Sequence, residues 1–197
     1  MKKTFIAILS LLMIVCSLAF FGCSDSSAGT QPEVPPSAPP SGPVETQGLA
    51  FKLNSDETFY YVSGIGDATD TDIIVPKEYE GKLVKGVGPS AFKNNKDITS
   101  ITLHNDMYYI HNSAFENCTN LRQVNIDKDN PIFYYIGSYA FQNCANLYSF
   151  TIPSRVTTIY NHAFCGCYKL FEVYNTSPYV TEAILENSWI STYVRNL

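Results

Sequence analysis

The sequence repeats one short phrase four times, and no other feature limits the possible folds as strongly. Each copy centres on an Ala-Phe pair, and successive pairs lie 23, 26 and 23 residues apart. The phenylalanines of the four pairs are Phe92, Phe115, Phe141 and Phe164. A constant period in this range predicts a solenoid in which each copy of the phrase forms one coil.

Other apolar residues keep a fixed distance from each phenylalanine, as the wall of a shared interior requires. The position five residues before it holds Val87, Ile110, Ile136 and Ile159. One copy has too little surface to bury these groups alone. Neighbouring coils must therefore stack to complete the core.

A cysteine column follows the same period. Three residues after the second, third and fourth phenylalanines stand Cys118, Cys144 and Cys167. Free cysteine is among the most frequently buried residue types, so the column favours core packing with reduced thiols. Adjacent coils also lie within disulfide range, so one bridge is an open alternative in an oxidising compartment.

Together the copies follow the pattern A-F-x-x-C-x-x-L-x-x-I-x-I-P-x-x-V-x-x-I-G, and Ala140 to Ile159 match it almost letter for letter. This pattern resembles the BspA-like leucine-rich repeats of bacterial surface proteins, and the resemblance covers roughly residues 49–197. It implies a repeat solenoid, namely a short right-handed leucine-rich repeat stack of about four 23-residue coils with β-rich walls.

The N-terminal segment has the features of an export signal. Lys2 and Lys3 precede an apolar run that ends at Gly22-Cys23-Ser24, which is typical of a secretory leader. The ending resembles the lipobox of bacterial lipoproteins, which implies a signal peptide at residues 1–22 and a lipid on Cys23. A plain signal peptide and a retained membrane helix are the alternatives.

The rest of the chain divides by composition and by the repeat. Residues 23–47 are rich in proline, serine and glycine, which is typical of a disordered tether. Residues 48–83 are predicted to form an N-terminal cap made of a hairpin and a half-coil. The half-coil is predicted because an I-I-V-P segment there resembles the I-x-I-P strand of the repeat. The leucine-rich repeats occupy residues 84–176. The irregular tail at residues 177–197 predicts a C-terminal cap into which Trp189 packs.

Alternation along the repeat strands separates inward from outward side chains. The outward positions form a predicted polar face: Ser100, Thr102, Gln123, Asn125, Ser149, Thr151, Glu172 and Tyr174. On the other wall, the V-x-x-I segment of the pattern exposes the two residues between its V and its I. In two successive copies these residues form a predicted tyrosine ladder: Tyr108, Tyr109, Tyr134 and Tyr135. Both surfaces are candidate binding sites. The alternative for the ladder is that stacked rings only stabilise the sheet.

The acidic, histidine and cysteine residues of the sequence give little support for a metal site or a catalytic site. The group Asp67, Asp70 and Asp72 lacks the twelve-residue spacing of a calcium loop and predicts a turn. A solvated turn is also predicted at residues 127–130. His162 and Cys165 could be part of a zinc site, but the sequence has no second Cys/His cluster with zinc spacing. They could also form a catalytic pair, but no third group that would orient the histidine is evident. The sequence therefore predicts no enzymatic activity, no metal and no cofactor.

Charge argues against nucleic acid as a partner. Removal of the leader takes Lys2 and Lys3 away and leaves 11 basic against 18 acidic residues, a formal charge of −7. No basic stripe is visible that could follow a phosphate backbone.

The resemblance implies a cell-surface module that binds an extracellular protein or glycan, in the manner of an adhesin. With a lipid on Cys23, the domain would be a monomer anchored to the membrane on the extracytoplasmic side. A structural or assembly component of the envelope, without an external ligand, is the alternative function.

Overall fold

The computed structural model describes residues 44–190 and the strand at residues 194–196, which form a β-solenoid of about five turns. The predicted signal peptide (residues 1–22), the predicted lipidation site Cys23 and most of the predicted tether lie outside the described residues.

Short strands dominate the described chain. In chain order the elements are β1 (Ala50–Leu53), β2 (Tyr60–Gly64), β3 (Asp72–Ile74), β4 (Glu78–Tyr79), β5 (Lys82–Val87), β6 (Ser100–Thr102), β7 (Tyr109–Ile110), β8 (Gln123–Asn125), β9 (Tyr135–Ile136), β10 (Ser149–Ile152), β11 (Thr158–Ile159), β12 (Glu172–Asn175), α1 (Glu182–Asn187) and β13 (Val194–Asn196).

The first wall of the solenoid is a seven-stranded sheet with the order β1-β2-β5-β7-β9-β11, in which β4 also pairs with β5. From β2 onward the strands of this order are parallel, as successive coils of a solenoid require. The register aligns the column that lies five residues before each phenylalanine, with Val87 next to Ile110 and Ile136 next to Ile159. All four are buried, which confirms that this column lines the interior.

The second wall consists of the I-x-I strands and divides into two sheets, β3-β6-β8 and β10-β12-β13. Within the described residues β8 and β10 lie next to each other without pairing. The break follows the loop at residues 127–130, which contains the extra residues of the 26-residue spacing. Asn130 in this loop is completely buried, and its side-chain oxygen accepts a hydrogen bond from the Ile132 N–H at 3.0 Å.

The Ala-Phe segments form the third side of each coil. Their phenylalanine rings stack through the core with centroid separations of 5.2, 5.2 and 5.1 Å from Phe92 to Phe164. The backbone continues the same contact, since the N–H groups of Phe92, Phe115 and Phe141 donate to the alanine carbonyls of the next coil at 2.7–2.8 Å. Backbone hydrogen bonds therefore join neighbouring coils on all three sides, apart from the missing strand pairing between β8 and β10.

Tight turns on the third side depend on residues in the left-handed region. The position two residues after each phenylalanine has a positive φ and is occupied by Asn94, Asn117, Asn143 and Gly166. Asparagine and glycine tolerate this conformation better than other residues. The asparagine side chains also bond to one another, with Nδ2 of one donating to Oδ1 of the preceding one at 2.7 and 2.8 Å.

The cysteine column packs in the core as free thiols. The Sγ atoms of Cys118, Cys144 and Cys167 each donate to the carbonyl of the preceding coil's phenylalanine at 3.0 Å. The thiol thus fills a small space and also joins two coils.

The N-terminal part contains the predicted hairpin, because β1 and β2 pair antiparallel. The predicted half-coil is a complete turn, since β2 pairs with β5 on the first wall and β3 pairs with β6 on the second. The stack consequently has about five turns, whereas four were predicted. Ahead of the hairpin, Thr46 is buried and bonds to Ile74 through both its N–H and its hydroxyl oxygen at 2.9 Å.

The C-terminal part continues the stack with different elements. The short helix α1 places the carbonyls of Asn187 and Ser188 where the next coil would be, and they accept bonds from the N–H groups of His162 and Phe164 at 3.0 Å. Strand β13 then pairs parallel with β12. Trp189, predicted to pack in a cap, is 58% exposed and has a positive φ after the helix end. Its ring lies against His162, with centroids 5.8 Å apart.

We predict that stability depends on the phenylalanine stack. Phe141→Ala should lower the free energy of unfolding by about 3–5 kcal/mol, because the ring is fully buried between Phe115 and Phe164 and its loss leaves a cavity. Tyr168→Ala is the control, with a side chain 81% exposed, and should change the free energy by no more than about 0.5 kcal/mol. Urea denaturation of the full chain measures both, and similar effects of the two substitutions would contradict the prediction.

Candidate functional site

The structure brings the four residues of the tyrosine ladder together on the first wall. Tyr109 of β7 lies directly beside Tyr135 of β9, with ring centroids 5.3 Å apart and the planes 11° from parallel. Tyr108 and Tyr134 precede these strands, and their centroids lie 5.8 Å apart at 32°. The repeat spacing therefore stacks equivalent rings, as the register of parallel coils requires.

The ladder is held in place by neighbours that the repeat pattern did not identify. Gly86 lies opposite Tyr109, and a Cβ atom there would come within 2.3 Å of the Tyr109 ring. The Lys85 ammonium lies 5.0 Å from the Tyr108 ring centroid, within cation–π range. Tyr160 packs edge-on against Tyr135 at 5.9 Å and extends the aromatic surface by one coil.

The ladder is partly accessible, and burial acts on two of its phenols. Tyr134 is 42% exposed, whereas the other three tyrosines are half-buried. Burial raises the pKa of Tyr109 to about 12 and also raises the pKa of Tyr135. The raised pKa keeps the Tyr109 and Tyr135 phenols uncharged. Aromatic rings that carry a hydroxyl group are common at protein binding sites.

The polar face lies on the second wall, where the register aligns its members in columns. Ser100 is beside Gln123 and Thr102 is beside Asn125, while Ser149 and Thr151 are beside Glu172 and Tyr174 in the other sheet. Asp72 of β3 extends the face by one coil and accepts hydrogen bonds from the Ser100 and Thr99 hydroxyls at 2.8 and 2.6 Å. These two bonds lower the pKa of Asp72.

A groove of about 350 Å³ opens in the polar face where β8 and β10 are not paired. Its polar lining consists of Thr102, Gln123, Asn125, Asp127, Ser149 and Thr151. Five of these residues belong to the predicted polar face or its strands, and Asp127 comes from the loop that breaks the wall. The sequence places the extra residues in a loop but does not indicate that the loop opens a groove.

A second aromatic row, on the third side, was missed by the sequence interpretation. His162 stacks on Tyr139 at 5.3 Å and on Trp189 at 5.8 Å. All three residues have a positive φ, which is uncommon for large side chains. The signal was present in the column two residues before each phenylalanine, which changes from serine to Tyr139 and His162 in the later copies.

The described residues contain no group that matches a metal site, and they contain no thiol–imidazole hydrogen bond. No cluster of three or more histidine, cysteine, aspartate or glutamate side chains within residues 44–190 could hold a metal ion. Asp127 instead accepts bonds from the Asp129 N–H at 3.0 Å and from Asn105 at 2.9 Å, as in a closed turn. No helix in the described part of the chain is long and apolar enough to cross a membrane.

The buried thiols are poor nucleophiles. Burial raises the pKa of Cys118 and of Cys167 to about 12 and raises that of Cys144 as well. Because the thiolate is the reactive form, these groups are inert at neutral pH.

We predict that the buried thiols make stability fall at alkaline pH. Cys118 keeps its proton up to a pKa of about 12 when folded, against 9.0 as the ordinary value, so between these values the unfolded chain binds fewer protons and stability decreases as pH rises. Cys118→Ser should remove about 1.4 kcal/mol of this loss per pH unit between pH 10 and 11. Urea denaturation under reducing conditions measures the slope, and an unchanged slope in the variant would contradict this assignment.

Comparison with known proteins identifies the repeat. A family model described as the BspA type leucine-rich repeat region matches residues 82–194 in six copies. No curated protein matches the chain.

Solved structures of leucine-rich repeat proteins resemble the described fold. A leucine-rich cell surface protein from Faecalibacterium prausnitzii matches 78% of this chain with 26% identity and a TM-score of 0.62, and the match covers 42% of that protein. A leucine-rich repeat protein from Bacteroides capillosus matches 68% of this chain and 98% of its own, with 24% identity and a TM-score of 0.57. The leucine-rich repeat protein of T. pallidum matches 66% of this chain and 71% of its own, with 20% identity and a TM-score of 0.53.

Proposed function

The chain belongs to the BspA-type leucine-rich repeat family, and we propose that it is a non-catalytic cell-surface module that binds an extracellular protein or glycan. Proteins built from leucine-rich repeats are generally non-catalytic. The similar protein from Faecalibacterium prausnitzii is a cell surface protein, which supports the same location for this chain. A lipid on Cys23 would anchor the domain as a monomer to the membrane on the extracytoplasmic side.

The observation that carries the proposal is the stacked and partly exposed tyrosine ladder. Each ring lies against a neighbour from the adjacent coil, so a partner would meet side chains whose orientation is already fixed. A preorganised surface loses less conformational entropy on binding, and tyrosine supplies large contact area with few rotatable bonds. Nucleic acid is a poor candidate partner, because the chain carries a formal charge of −5.

The Tyr108 and Tyr134 pair of the ladder gives a direct test. Tyr108→Ala combined with Tyr134→Ala removes a stacked pair at the surface and should weaken binding of the full chain to an array of extracellular matrix proteins by at least about tenfold, since central aromatic residues dominate interface energies. Tyr168→Ala, which removes an exposed tyrosine outside the ladder, is the control and should bind like the unmodified chain. Equal binding by the double variant and the unmodified chain would overturn the role of the ladder.

The proposed location is tested separately from the partner. Protease added to intact cells should digest the solenoid if the domain faces outward, whereas a domain inside the envelope is protected. Protection in intact cells, followed by digestion after lysis, would favour the alternative function as an internal structural component. Binding and proteolysis therefore distinguish a surface binder from an assembly part.

A further inference from the structure

The groove between β8 and β10 exists because two consecutive coils differ in length. Elsewhere in the second wall, neighbouring strands pair in a regular register, such as Thr102 beside Asn125. Between β8 and β10 the loop at residues 127–130 lengthens the coil, and pairing is absent at this position of the described chain. The resulting groove of about 350 Å³ lies at the small end of the range typical of ligand sites.

Side chains on one edge of the groove are fixed by mutual hydrogen bonds. Gln123 Nε2 donates to Asn125 Oδ1 at 2.6 Å, and Asn125 Nδ2 donates to Thr102 Oγ1 at 3.0 Å. These two hydrogen bonds use one N–H of each amide group. The second N–H of each amide and the side-chain oxygen of Gln123 therefore remain available to a ligand.

The other edge and the end of the groove offer further hydrogen-bonding groups. The hydroxyls of Ser149 and Thr151 bond to no other described residue, so each can donate one hydrogen bond and accept others. Asp127 at the end is held by Asn105 and by the Asp129 N–H, which keep its carboxylate in one orientation. A carboxylate oxygen has more than one lone pair, so both oxygens can accept again.

The chemistry of the lining excludes several ligand classes. Asp127 is the one formally charged group among the described lining residues, and its negative charge disfavours anionic ligands. Of the apolar lining residues, Leu103 and Val124 are buried in the core, and Ile126 is partly buried against it. The groove therefore offers little apolar surface to a side chain of a peptide. Apart from Ile126, the accessible lining is a row of neutral amides and hydroxyls beside one carboxylate.

We infer that the groove between β8 and β10 binds a neutral carbohydrate, with Gln123, Asn125 and Asp127 as its main contacts. Each sugar hydroxyl can donate and accept, so a polyhydroxylated ring matches a surface that alternates amide N–H donors with carbonyl and carboxylate acceptors. The inference rests on the proposed function as a surface binder and specifies one of its sites and the class of ligand. The tyrosine ladder on the first wall is a separate surface.

The test uses an array that carries the same oligosaccharide cores in neutral, sialylated and sulfated forms. The full chain should bind neutral forms in preference to the charged ones, and the preference should persist when EDTA is present. Gln123→Ala combined with Asn125→Ala should weaken binding to the neutral forms by about tenfold, which corresponds to the loss of two ordinary hydrogen bonds. Asn120→Ala, which removes an exposed amide outside the groove, is the matched control and should bind normally.

Three results would overturn the inference: preference for sulfated or sialylated forms, loss of binding with EDTA, or equal binding by the groove variant and the control. The ladder variant Tyr108→Ala with Tyr134→Ala should still bind neutral oligosaccharides. A chain that binds matrix proteins through the ladder but no neutral oligosaccharide would refute the inference and leave the proposed function standing. Binding to neither class would refute both.

Discussion

The structure depends on hydrogen bonds between coils more than on bonds within a coil. Backbone N–H groups in the paired strands of both walls, and those of the phenylalanines on the Ala-Phe side, donate to carbonyls of a neighbouring coil, as the bond from Phe115 N–H to Ala140 O illustrates. A single coil would leave these groups unpaired, and unpaired backbone groups are costly once buried. The same spacing brings identical side chains into contact, which explains the parallel stacks of phenylalanine, asparagine and cysteine.

This dependence also explains what the sequence predicts well. A column repeated in every copy can be assigned to one side of the coil, since each strand's register is fixed by its neighbours. The phenylalanine stack, the buried anchors such as Ile110 and the pairing of Tyr109 with Tyr135 all follow from that rule. The column of Asn94, Asn117, Asn143 and Gly166 could have been interpreted in the same way, because asparagine and glycine at one repeated position are typical of left-handed turns.

Features produced by departures from the repeat were harder to predict. The extra residues before Pro131 predict a loop, but the pattern indicates neither the burial of Asn130 in that loop nor the loss of pairing between β8 and β10. The exposure of Trp189 depends on where α1 ends, and no repeat column constrains that position. Both features lie where the chain departs from the repeat, so the sequence offers no second copy to compare.

Both candidate binding surfaces involve the coil that contains β8 and β9. One wall of this coil contributes Tyr134 and Tyr135 to the ladder, and the other contributes Gln123 and Asn125 to the groove. Each surface is small, so one domain would bind weakly through either one, because only a few central residues supply most of the energy of an interface. Under the proposed anchoring, many copies on one cell would act together, and linked weak sites can exceed the affinity of a single site by several orders of magnitude. A short solenoid is therefore compatible with adhesion when its density on the surface, and not its length, provides the affinity.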